Sequence, residues 1–143
     1  MAAVKRIQEL LGGEPVIGPI ANDLDIVRAV RRGLPTAAVD HLLQETELGF
    51  PVIEAHVLPR RTFKRRQEAN QPLDPEESDR LVRVANLIAA AEETFGDRFK
   101  ALIWLQRENR ALDGLQPISL ADTDLGARTV EALLGRIGHG LAA

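Results

Sequence analysis

The stretch LPRRTFKRRQEANQPLDPEESDRLVRVANLI, residues 58–88, decides the fold and reads as two helices joined by a turn. Pro59 suits a first helical position, where its missing N–H is not needed. The helix it opens is crowded with Arg60, Arg61, Lys64, Arg65 and Arg66, and Phe63 is its one large apolar residue. Helical spacing then turns Phe63 toward a core and Arg60, Arg61, Lys64 and Arg65 toward solvent. One anchored face and one basic face make the layout of a DNA recognition helix. Arg60, Arg61, Thr62, Lys64 and Arg65 are its candidate DNA contacts. A run of cations also arises on any solvated helix face or protein interface, so those readings stay open.

Asn70-Gln71-Pro72 ends that helix. Asp74 then offers an N-cap, Pro75 a first position, and Glu77 the second half of an Asp-x-x-Glu capping box. Leu81, Val84, Ala85, Ile88, Ala91 and Phe95 recur on one face, and Gly96 is the expected stop, a helix of roughly 20 residues. It is long enough to bridge two halves of the protein.

Outward from this stretch the pattern stays helical. Toward the N-terminus, Val4, Ile7, Leu10 and Leu11 form an amphipathic turn or two ending at Gly12-Gly13. Glu14 to Ile20, with Pro15, Gly18 and Pro19, reads as a linker. Residues 1–20 are therefore set apart as an arm, packed or mobile. Asn22 caps a helix with an apolar line of Leu24, Val27 and Val30, ended by Gly33. Thr36 caps another with Val39, Leu42 and Leu43, which is expected to end at Gly49. A short apolar helix around Val52, Ile53 and Ala55 leads into the basic one. Several short helices, the last basic, are a helix-turn-helix unit by pattern, placed at 21–90.

Toward the C-terminus, residues 91–143 form a second small helical unit. Phe99, Leu102 and Ile103, with Trp104 beside them, suggest an amphipathic helix with Trp104 in the core. Asn109, Asp113, Gly114 and Pro117 break the chain into turns. Thr123 caps a last helix carrying Val130, Leu133, Leu134 and Ile137. Gly126 in its first turn implies a close backbone approach. No β alternation is evident, so the fold class is all-α.

Composition narrows the function classes. Apolar residues make up 45% of the 143, and there is no cysteine. That fits a folded protein without disulfide or thiolate chemistry, as expected in the cytoplasm. No signal peptide or membrane segment is expected. Residues 1–72 hold 10 Lys/Arg against 9 Asp/Glu, and residues 73–143 hold 8 against 12, within a net charge of −3. A basic helix in the less acidic half suits DNA binding through one end. His41, His56 and His139 are scattered, and Asp23/Asp25 and Asp122/Asp124 sit at helix starts, where carboxylates favour the dipole without any metal. Ser78 and Ser119 lie in no nucleophile context, and no phosphate-binding loop appears. Neither enzyme activity, cofactor nor metal is expected.

Two motifs carry a resemblance. WLQRENRALDGLQP, Trp104 to Pro117, followed by TDLGARTVEALLGRIGHGLA, Thr123 to Ala142, resembles the toxin-binding domain of Xre/MbcA/ParS antitoxins. It does so through Trp104, Asn109, Leu112, Gly114, Pro117, Thr123, Gly126, Val130, Leu133, Arg136, His139 and Gly140. Asp113 stands where a second glycine is expected. Arg61-Thr62-Phe63, Arg65-Arg66, Leu73 and Glu77-Ser78-Asp79-Arg80-Leu81 are similar to the Xre-like helix-turn-helix that precedes this domain. The resemblance spans roughly residues 20–143. It implies an antitoxin of a type II toxin–antitoxin module, partnered by a RES-domain toxin that consumes NAD. It further implies a homodimer that binds operator DNA and represses its own operon. Arg136, Ile137, His139, Gly140, Leu141, Ala142 and Ala143 would then cover the toxin's active-site cleft. The alternative is a stand-alone dimeric helix-turn-helix transcriptional regulator.

Overall fold

The computed structural model describes residues 2–140. Among them the chain runs α1 (Val4–Leu10), α2 (Glu14–Ile17), α3 (Asp23–Arg32), α4 (Ala37–Thr46), α5 (Phe50–His56) and α6 (Arg60–Glu68). It continues as α7 (Pro75–Phe95), α8 (Arg98–Gln106), two 3₁₀ turns (Arg110–Leu112 and Pro117–Asp122) and α9 (Asp124–Gly138). The expected all-α class holds. The one β feature among the described residues is an isolated bridge between Asn109 and Leu115. None of the described helices is long and apolar enough to cross a membrane.

Helices α1, α3, α8 and α9 and the second 3₁₀ turn all pack on α7. Its capping box is formed: the Asp74 carboxylate accepts from Glu77 N–H at 2.7 Å, and the Glu77 carboxylate accepts from Asp74 N–H at 2.9 Å. These contacts satisfy two donors that a helix start otherwise leaves open. Leu81, Val84, Ala85, Leu87, Ile88 and Ala91 are fully buried along it. Buried residues line it on more than one side because α1 and α3 cover its flanks while α8, α9 and the second 3₁₀ turn cover the rest. At about 1.5–3 kcal/mol per large apolar side chain, this shared helix carries much of the driving force for folding.

The N-terminal segment is packed. Ile7, Leu10 and Leu11 are buried. Arg6 reaches Glu92 of α7 through Nε and Nη2, at 2.7 and 2.9 Å, and lies 3.6 Å from Glu45 of α4. The Ala2 N–H donates to the buried Asn86 Oδ1 at 2.9 Å. The stretch expected to be a linker contains a helical turn, α2, with Ile17 buried. Pro15 and the flanking glycines confine it to one turn without preventing it.

Other expectations shift by a residue or a face. Pro59 is the cap before α6 rather than its first residue. Helix α4 ends at Glu47, which takes the left-handed conformation at φ 57°, and Gly49 instead precedes α5. On α3 the buried residues are Ile26 and Ala29, while Leu24 and Val27 stand 60% and 39% exposed. On α8 they are Ala101, Leu102 and Leu105, while Phe99 and Ile103 are 64% and 54% exposed. Trp104 is half-buried against Phe95, with ring centroids 5.6 Å apart. Asp113, in the glycine-like position, is left-handed at φ 60°. Asp tolerates that region because its short polar side chain bonds locally.

Candidate functional site

The basic helix is held rigidly by its non-basic face. Phe63 is buried and packs at a tilt on Phe50 of α5, centroids 5.3 Å apart. Arg66, three residues on, shares that inner face. Its guanidinium lies 2.9 Å from the buried Glu77 and 3.7 Å from Asp74, and it donates to the Pro72 carbonyl at 3.1 Å. Arg66 thus ties α6 to the capping box of α7 and is unavailable to a ligand. From sequence, Arg66 counts among the cations of α6 but stands outside the outward set Arg60, Arg61, Lys64 and Arg65, and the structure keeps it there.

Arg60, Arg61, Lys64 and Arg65 are exposed together along the outer face, and Thr62 is half-buried between the two faces. Arg60 stacks over the Phe50 ring, 4.5 Å from its centroid, and its backbone N–H donates to Glu54. That fixes the start of the helix in orientation while leaving Arg61, Lys64 and Arg65 free to reach a polyanion. An anchored helix with outward cations can bind phosphates and present a few side chains to base edges.

The C-terminal unit offers a different surface. Asn109 Oδ1 accepts from Ala111 N–H at 2.9 Å and shapes the first 3₁₀ turn. Thr123 Oγ1 accepts from Gly126 N–H at 2.9 Å and caps α9. The expected close approach at Gly126 is present: a Cβ there would collide with the Leu120 carbonyl oxygen and press on Thr123 Oγ1. Val130, Leu133 and Leu134 are buried by α7 and the second 3₁₀ turn. Four large apolar side chains are left outside this packed unit: Phe99, Ile103, Leu115 and Leu125, the last 68% exposed. From sequence, Phe99, Leu102 and Ile103 form one apolar line of this helix, and Leu115 and Leu125 are not singled out.

Helix α9 runs through Arg136 and Ile137 to Gly138. Arg136, His139 and Gly140 are exposed at its end, while Ile137 is half-buried against the core. His139 Nδ1 lies 2.6 Å from the Gly135 carbonyl, which pins the imidazole to the last turn. Leu141, Ala142 and Ala143 lie outside the described residues.

Comparison with known proteins matches both units. Residues 25–86 match the antitoxin Xre-like helix-turn-helix domain, and residues 90–140 match the antitoxin Xre/MbcA/ParS C-terminal toxin-binding domain. The chain is 37% identical to an antitoxin Xre of Pseudomonas putida over 137 residues, covering 94% of this chain and 82% of that protein. It is 30% identical to an antitoxin Xre of Yersinia enterocolitica, covering 86% and 84%. It is 28% identical to a Prs ADP-ribosylating antitoxin of a Sphingobium species, covering 84% and 82%. With an anchored basic helix in the first unit and an uncovered apolar surface in the second, the chain belongs to the Xre/MbcA/ParS family of antitoxins.

Proposed function

We propose that this antitoxin neutralises a RES-domain toxin that consumes NAD, by degradation or ADP-ribosylation, through occlusion of its active-site cleft. The observation that carries this reading is the placement of Phe99, Ile103, Leu115 and Leu125, exposed on a unit whose interior is otherwise well packed. Large apolar side chains held outward by a rigid scaffold are the material of a protein interface. Arg136, Ile137, His139 and Gly140, with Leu141, Ala142 and Ala143 beyond them, extend from the end of α9 and are assigned to the cleft. A terminal segment that orders on binding loses conformational entropy, so the preformed surface supplies most of the affinity and the tail supplies the block. The name of the Sphingobium relative supports a toxin whose chemistry is ADP-ribosylation.

The DNA side of the function rests on α6. A homodimer would present two copies of Arg60, Arg61, Thr62, Lys64 and Arg65 to a palindromic operator about one helical turn apart and repress the operon. Both activities place the protein in the cytoplasm, where its DNA and the toxin's NAD are found. The chain acts by binding, with no catalytic step of its own.

The test is cellular NAD in bacteria making the toxin encoded beside this gene, alone, with the full chain, and with a chain ending at Gly138. That truncation keeps the half-buried Ile137. NAD should collapse with the toxin alone, recover with the full chain and stay low with the truncation. Equal rescue by both chains would remove the tail from the mechanism. A neighbour that never lowers NAD would overturn the RES assignment.

A further inference from the structure

On α3 the stripe Asp23, Val27, Arg31 faces an open groove bounded by α7 and α9, about 730 Å³ in volume. Its apolar floor is Ile26, Val30, Val82 and Ala127. Val27 stands in this groove part-exposed, and Leu24 projects from the same helix one turn earlier. Neither Asp23 nor Arg31 has an ion-pair partner among the described residues, whereas the neighbouring Arg28 is engaged by Asp25 at 3.0 Å.

We propose that α3 is the seam between two copies of this chain, packed antiparallel about a two-fold axis at Val27. The inference rests on the homodimer proposed above and says where its halves meet. The sequence of α3 is self-complementary about that residue. Asp23 and Arg31 lie four residues to either side of Val27, and Leu24 and Val30 three to either side. Antiparallel pairing sets Asp23 against Arg31 of the second copy, Arg31 against its Asp23, Leu24 against its Val30, and Val27 against Val27. Asp23, Val27 and Arg31 form an i, i+4, i+8 ridge, the kind that interdigitates with its own copy at a crossing angle of about −50°. A closed two-fold contact requires one patch to match itself, with opposite charges exchanged across the axis, and this patch does so. Helix α3 itself lies outside the toxin-binding match at 90–140, although Asp124, Ala127, Arg128 and Glu131 of α9, which wall the groove, fall within it. The α6 cations and the exposed Phe99, Ile103, Leu115 and Leu125 line no part of the groove and so stay open in the dimer.

The experiment is sedimentation equilibrium of the full chain and of D23R, R31D, D23R/R31D and V27C, with circular dichroism as the check on folding. Each single reversal creates two like-charge contacts per dimer and should raise the dissociation constant about tenfold. The double variant, with the charges exchanged, should return to within a few-fold of the original. The chain has no natural cysteine, so mild oxidation of V27C should give a disulfide-linked dimer across the axis. A monomeric parent chain overturns the inference, and so does a dimer indifferent to the single reversals or one the double variant fails to restore. Cellular NAD with the same variants separates this from the antitoxin reading. Loss of dimer with NAD rescue intact supports a seam distinct from the toxin surface. Loss of rescue with no change in mass assigns the groove to the toxin instead.

Discussion

Gly126 and Gly135 lie in one helix, and a methyl group added at each has opposite consequences. At Gly126 a Cβ meets the Leu120 carbonyl and Thr123 Oγ1, both fixed by the turn that caps α9. Gly126→Ala should therefore lower stability by about 1–3 kcal/mol, as overpacking against backbone does. At Gly135, in the last turn of α9, an added Cβ would meet no atom of the described residues within 4 Å. Gly135→Ala should raise stability by about 0.5–1 kcal/mol by narrowing the unfolded ensemble. Urea unfolding of the two variants side by side checks the pair. His56 offers a second residue-level test. Burial holds its imidazole below the ordinary value of 6.5, with Asp122 pulling weakly the other way. The unfolded chain thus takes up a proton near pH 6.5 that the folded chain refuses until lower pH. Its contribution is complete above about pH 6.5 and is lost on acidification toward the folded value. Unfolding free energy followed from pH 7.5 to 5 should fall in the parent protein and fall less in His56→Gln.

Among the elements, α1 and α3 show what helical periodicity conveys and what it omits. The caps at Asn22, Asp74 and Thr123 and the stop at Gly96 were legible because each is a local hydrogen-bonding rule that needs no partner element. The buried faces of α3 and α8 were not. Each carries two apolar lines, and only tertiary packing decides which is covered: Ile26 and Ala29 rather than Leu24 and Val27, Leu102 and Leu105 rather than Phe99 and Ile103. Gly49 was misread for a related reason, since a glycine between two helices can end one or begin the next. The docking of α1 was illegible because it depends on Arg6 finding Glu92, 86 residues away. That contact is partly buried and made through two nitrogens, so Arg6→Ala should cost about 1–3 kcal/mol. Thermal unfolding at pH 7 gives the answer. A change indistinguishable from that of an exposed Lys5→Ala control would demote the contact to a surface pair.

At the scale of the whole molecule, the candidate sites divided along the same line. The outward cations of α6 could be named from sequence because Phe63 fixes the phase of that helix. In the C-terminal unit the last helix and the Phe99–Leu105 helix could be picked out as the contact surface, but not which apolar side chains they display, because such side chains also build cores. The basic face makes its own prediction. With Phe63 and Arg66 left to hold α6 in place, Arg61→Ala/Lys64→Ala/Arg65→Ala should keep the fold. It should weaken DNA binding across sequences and lower the steepness of its salt dependence by about 2–3 per helix bound. Fluorescence anisotropy over a salt series measures both quantities. An unchanged slope would return these cations to the role of a solvated face.

Helix α7 belongs to both units: the two family matches stop and resume within it, at residues 86 and 90. Their border is therefore a hydrogen-bonded turn inside a buried helix, where a two-domain protein usually has a linker. Antitoxins built this way are not cassettes that recombination can cut and rejoin at will. One residue gained or lost at the border turns everything beyond it by about 100° and shifts it by about 1.5 Å. That moves α7 out of phase with α9 before any toxin is met. Exchange of toxin specificity between such antitoxins would thus be confined to crossovers that preserve helical register. Functional chimeras should be recovered where the α7 lengths agree and be rare where they differ by a residue or two.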